Sequence, residues 1–138
     1  MDSGICFSET KLARLRKVCY REPRLVSVYA FDLRGRGDCN LAALFAETPP
    51  WPERLELEMA VARALDLEGV ELIDLRRMPL VFRFGVVNKG TPIYVGQPES
   101  LAVFIEQTVV RYSAFYPLLE ALYWKVETKP LAEDMIGT

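Results

Sequence analysis

The sequence predicts a single mixed α+β domain, residues 1–138, with about four strands flanked by helices and a long kinked helical segment over 98–127. Three observations carry that expectation. Apolar residues recur at helical and strand spacing in the order helix, strand, strand, helix, strand, helix, strand, helix. The chain has 138 residues, 51% of them hydrophobic, which suits one self-sufficient core. No internal repeat or low-complexity segment interrupts the pattern.

The first helix begins near Thr10 behind Ser8 as N-cap, and Leu12, Leu15, Val18 and Cys19 form its apolar stripe until Pro23 stops it. Val26–Phe31 then has the β-branched and aromatic content of a buried strand. The turn Asp32-Leu33-Arg34-Gly35-Arg36-Gly37 leads into a second strand, Asp38–Phe45, which opens polar and becomes apolar.

Thr48-Pro49-Pro50-Trp51-Pro52 is a stiff loop, with Pro52 suited to the first turn of the next helix. Glu53, Glu56 and Glu58 lie near that helix's positive end, and Leu57, Val61, Ala64 and Leu65 mark its buried face. Val70–Leu75 reads as the third strand. A helix follows Pro79, with Leu80, Phe84 and Val87 on one side and Gly90 as its stop. Thr91–Val95 is a short strand that Pro92 consigns to a sheet edge. The last helix starts with Leu101, Phe104, Ile105, Thr108 and Val109, and Pro117 is expected to kink or split it. Residues 128–138 read as a loose tail.

Composition excludes several functions. With no histidine, Ser-His-Asp and Cys-His catalysis and every histidine-containing zinc site are ruled out. A net charge of −2 argues against strong generic nucleic-acid binding. No apolar run is long enough to span a bilayer, and Met1-Asp2-Ser3-Gly4-Ile5-Cys6 lacks the plan of a signal peptide. The expectation is a cytoplasmic protein whose three cysteines, Cys6, Cys19 and Cys39, are reduced.

The stretch Tyr29-Ala30-Phe31-Asp32-Leu33-Arg34-Gly35-Arg36-Gly37, followed by Asp38-Cys39-Asn40-Leu41-Ala42-Ala43-Leu44-Phe45, resembles the signature of the minimal nucleotidyltransferases, small relatives of DNA polymerase beta. In that family a strand ends in Gly-Ser, and an Asp-x-Asp pair opens the next strand. The resemblance extends from about Tyr29 to Val126, through Val70–Leu75, the Pro79–Gly90 helix and the Tyr112–Leu119 segment. It implies a polymerase beta-like nucleotidyltransferase fold.

The family's chemistry needs Mg²⁺ ions held by carboxylates, because two metals stabilise the attacking and leaving oxygens of nucleotidyl transfer. Carried over by position, the catalytic set is Asp38, Asn40 and Glu71, with Asp38 and Glu71 as the anionic metal ligands. Asn40 keeps a carbonyl oxygen but brings no charge. Asp32, Leu33, Arg34 and Arg36 stand at the nucleotide-binding corner. There Asp32 replaces the family glycine with a negative charge, which opposes phosphate by on the order of kilocalories per mole. Leu33 supplies no hydroxyl. The alternative for all of these residues is an ordinary polar loop and ordinary strand ends.

The resemblance thus implies a catalytically impaired nucleotidyltransferase-fold protein that needs neither ATP nor Mg²⁺. It also implies a partner, since family members act as antitoxins paired with a small helical HEPN-type ribonuclease toxin. The aromatic segment bearing Tyr112, Phe115, Tyr116, Leu119, Tyr123 and Trp124 is the candidate interface, with burial in the domain core as the alternative. Two other functions remain open: an active Mg²⁺-dependent enzyme that transfers AMP from ATP to a protein acceptor, and a homodimer that binds a small ligand.

Overall fold

The computed structural model describes residues 7–33, 35, 37 and 39–126, the side chains of 123–126 excepted. It contains α1 (Glu9–Tyr20), β1 (Leu25–Phe31), β2 (Asn40–Phe45), α2 (Trp51–Ala64), β3 (Leu72–Asp74), a 3-10 turn at Leu75–Arg77, α3 (Leu80–Lys89), β4 (Thr91–Val95) and α4 (Pro98–Val126). Ser8 caps α1, its hydroxyl oxygen accepting the Lys11 amide at 3.2 Å. The fold class is therefore the mixed α+β arrangement expected from the sequence. Residues 1–6 and the tail expected over 128–138 lie outside the described residues.

The sheet order is β3-β2-β1-β4. β1 pairs antiparallel with both β2 and β4, whereas β2 and β3 run parallel. All seven residues of β1 are buried, as a strand covered on both faces requires. Its one polar side chain, Ser27, donates its hydroxyl to the Tyr94 carbonyl at 2.8 Å. Pro92 does sit on the edge strand. Arg16 blunts that edge by donating its Nε to the Ile93 carbonyl at 3.1 Å.

Strand alternation sends side chains to two cores. Val28, Ala30, Leu41, Ala43 and Phe45 pack under α1 and α2, against Leu12, Leu15, Cys19, Leu57 and Val61. Val26, Tyr29, Phe31, Ala42 and Leu44 pack on the other face, against Val86, Leu101 and Phe104 of α3 and α4.

Two boundaries differ from the sequence expectation. The third strand shrinks from Val70–Leu75 to Leu72–Asp74, because β2 offers it only three register pairs before the chain tightens at Leu75. α4 is one helix through Pro117, which does not split it. Proline removes one backbone donor there, and the intact turns on either side carry the helix past it.

Candidate functional site

The β1–β2 connection is built around Asp32. Its carboxylate Oδ2 accepts the Gly37 amide at 2.7 Å, and its carbonyl accepts the Gly35 amide at 3.4 Å. Both contacts need the chain to double back. Gly35 and Gly37 permit this with φ of 67° and 86°, values that side chains with a Cβ seldom adopt. The sequence marked these glycines as turn formers but did not reveal that their amides turn inward onto Asp32.

Leu33 points the other way, into the core beneath α3. A Cβ on Gly85 would lie 3.4 Å from Leu33 Cδ1, so the leucine fills the space that the small residue leaves. Asp32 and Leu33, the first two residues expected at a nucleotide-binding corner, therefore close the loop and fill the core. Arg34, Arg36 and Asp38 lie outside the described residues.

Asn40 opens β2 opposite Phe31 and is exposed. Leu41 pairs with Leu72, so Asn40 and Glu71 each precede the first parallel pair by one residue. Both stand on the α3–α4 side of the sheet, the side of Ala42 and Ile73. Glu71 is exposed as well. The fold thus brings these two side chains to neighbouring strand starts. Asp74 does not join them. It lies at the far end of β3, where its Oδ2 accepts the Thr48 hydroxyl at 2.9 Å and faces Arg77 Nε at 3.6 Å.

Among the described residues, no three acidic, thiol or imidazole groups lie together in a way that could hold a metal ion. Asn40 contributes an amide oxygen and Glu71 a single carboxylate, while Asp32 already accepts an amide. Mg²⁺ selects anionic oxygens, so Glu71 is the described donor suited to it, and the other anionic candidate, Asp38, lies outside the described residues.

Cys39, beside the site, is disulfide-bonded, which corrects the expectation of three reduced thiols. Sequence spacing had revealed no pairing, because only the folded chain brings two sulfurs within bonding distance. Cys19 is free and buried in the α1 core. Burial pushes its thiol up to about 12.

The aromatic segment divides between core and surface. Tyr112 stacks on Phe84 at a centroid distance of 3.9 Å, so this candidate interface residue is in part an internal anchor between α3 and α4. Phe115 and Leu119 are half-buried, and Tyr116 is exposed. Val110, Leu118 and Leu122 are exposed too, at 60%, 66% and 55%, and leave an apolar stripe on the outer side of α4. The side chains of Tyr123 and Trp124 lie outside the described residues.

No family model matches this sequence, and no curated protein matches it either. Solved structures do match. A chain of the crystallised toxin–antitoxin MntA–HepT is 26% identical, with a TM-score of 0.65 over 88% of this chain and 100% of that one. This chain has the fold of a minimal nucleotidyltransferase. A second minimal nucleotidyltransferase match comes from the Shewanella oneidensis complex of a tri-AMPylated HEPN toxin with its MNT antitoxin. It is 27% identical with a TM-score of 0.63, covering 86% of this chain and 97% of that chain. A third, a toxin–antitoxin crystallised with AMP-PNP, is 26% identical with a TM-score of 0.63 over 85% of this chain and 98% of that one. Among the described residues, no helix is long and apolar enough to cross a membrane.

Proposed function

We propose that this chain is the antitoxin of a toxin–antitoxin pair, that it binds a small helical HEPN-type toxin, and that its nucleotidyl transfer is impaired. The observation that carries the loss of chemistry is the Asp32 carboxylate on the Gly37 amide. In a working phosphate corner such amides point at the ligand. Here an internal anion takes the donor and adds a negative charge where phosphates would arrive. Asn40 brings a neutral amide where the family has a second Asp, which leaves Asp38 and Glu71 as the anionic ligands for two metals.

Binding is supported by a different set of residues. The solved neighbours are toxin–antitoxin complexes. The outer stripe of Val110, Leu118 and Leu122 offers the kind of surface that an all-helical partner covers, with apolar anchors at helical spacing. This activity requires neither bound nucleotide nor metal.

Two measurements test the proposal. Co-expression with a short all-helical protein encoded beside this chain should give a complex that co-purifies, and Leu118→Glu with Leu122→Glu should abolish it while leaving the fold intact. Incubation with labelled ATP, Mg²⁺ or Mn²⁺ and that partner should leave the partner unlabelled. Labelling that disappears in Asp38→Ala would instead establish an active AMP transferase. A stable homodimer that ignores every helical partner would favour the small-ligand reading.

A further inference from the structure

Between Asp74 and Glu99 the sequence contains no carboxylate at all, yet it holds Arg76, Arg77, Arg83 and Lys89. In a chain of net charge −2 this is a marked segregation of charge. A second carboxylate-free run, between Glu106 and Glu120, carries Arg111. The fold places the two runs against each other. Phe84 and Tyr112 stack across α3 and α4, and Arg83 and Arg111 are the residues immediately before them.

Arg76 and Arg111 both lie within electrostatic range of Arg83 there. Arg76 lies over the Phe104 ring at 5.4 Å and donates its Nε to the Phe45 carbonyl at 2.9 Å, which fixes its plane. Arg83 reaches back from the first turn of α3 and places Nη1 3.4 Å from the Arg76 carbonyl. Its Nε is shielded from solvent and has no hydrogen-bond acceptor among the described residues. Arg111 stands one helical turn beyond the buried Thr108, on the stripe that begins at Phe104. No ion pair among the described residues involves Arg76, Arg83 or Arg111, whereas Arg14, Arg24 and Arg77 each face a carboxylate.

Such a cluster is costly as it stands. Burial, together with repulsion from Arg111 and Arg76, holds the Arg83 guanidinium below its ordinary value. The N-terminus of α3 opens beside the same group without a side-chain cap, and it adds its positive dipole end. The shielded Nε, the planar forks and the lack of acids all call for a compact, multiply charged oxyanion. Arginine forks bind phosphate in a bidentate manner, which a single carboxylate could not extend to three groups.

We propose that Arg76, Arg83 and Arg111 form a binding site for a phosphoryl group, separate from the β1–β2 corner. Arg76 bonds to Phe45, the last residue of β2, whereas Asn40 is the first, so Arg76 and Asn40 lie at opposite ends of the strand. The phosphoryl group is supplied either by free phosphate or by a nucleotide. Neither source alters the site's chemistry, and the site does not depend on the antitoxin assignment.

The test is calorimetric titration of the full chain with inorganic phosphate and pyrophosphate at constant ionic strength, with chloride as the control. One saturable site is expected, tighter for pyrophosphate. Arg111→Gln, a change on an exposed side chain, should weaken it at least tenfold, and Arg83→Met should abolish it. Lys17→Gln on α1 should leave it unchanged. Competition by AMP without metal would assign the site to nucleotides, and its failure would assign it to free phosphate; both results support the proposal. Heats equal to those of chloride would overturn it, as would binding that survives in Arg111→Gln and Arg83→Met. A glutamate-rich peptide that binds where phosphate does not would also overturn it.

Discussion

The rings of Phe84 and Tyr112 lie nearly parallel, 4° apart, with centroids separated by 3.9 Å. This stack ties α4 to α3 beyond Thr108, the last described residue of the helix that is fully buried. Tyr112→Ala should therefore cost about 1–3 kcal/mol, from lost area and lost ring contact together. Thermal unfolding followed by circular dichroism reads the change. A melting temperature equal to that of the wild type would show that α4 is held elsewhere.

Gly90 ends α3 where a side chain does not fit. A Cβ there would lie 2.6 Å from the Val86 carbonyl oxygen and 3.2 Å from that of Ala30, both backbone atoms that cannot swing aside. Gly90→Ala should destabilise by about 1–3 kcal/mol through overpacking. Urea midpoints of the two proteins, compared at equal slope, decide the matter.

Glu22 carries a pH dependence. Its carboxylate accepts the Arg24 side chain at 2.8 Å and the Arg24 amide at 3.0 Å, and these bonds hold it below its ordinary value of 4.5. A depressed folded value means that the unfolded chain takes up its proton first as pH falls. The stabilisation is thus fully present above 4.5 and is lost as pH drops through the lower folded value. Glu22→Gln should melt below the wild type near neutrality, with the gap closing in acid. A gap independent of pH would contradict this.

Cys19 should resist alkylation. Its thiol is buried and pushed up to about 12, so almost no thiolate forms near neutral pH. Peptide mapping after iodoacetamide treatment should find Cys19 unmodified in the folded protein and fully modified in denaturant. Equal labelling in both states would mean that α1 opens readily.

The proposed impairment predicts that reversing Asp32 and Asn40 allows nucleotide binding. Asp32→Gly with Asn40→Asp removes the internal anion and returns a carboxylate to the start of β2. The double variant should be stabilised by ATP with Mg²⁺ in thermal melts, while the wild type is not. An unchanged melting temperature in the double variant would contradict the proposed role of these two positions.

Much of the fold was legible beforehand because periodicity and backbone chemistry are local. Ser8 as a cap, Pro92 on an edge, Gly90 as a stop and the apolar run of β1 each follow from a residue and its near neighbours. The length of β3 was not legible, since it depends on how many partners β2 presents. Nor could local pattern tell that α4 would run on through Pro117. Of the candidate site, the adjacency of Asn40 and Glu71 comes from strand register, which joins residues far apart in the chain. Tyr112 belongs both to the aromatic segment marked as an interface and to an internal stack, a distinction that only its neighbour Phe84 makes.

Sequence alone determined the element order, the missing histidines and the replacement of a Gly-Ser corner by Asp32 and Leu33, because each is a matter of which side chains are present. Tertiary structure alone decided what those side chains do. It turned Asp32 onto Gly37, sank Leu33 beneath α3, and gathered Arg76, Arg83 and Arg111 from three elements. Hydrogen bonds and charge repulsion act over a few ångströms of space, and distance along a chain does not report that separation.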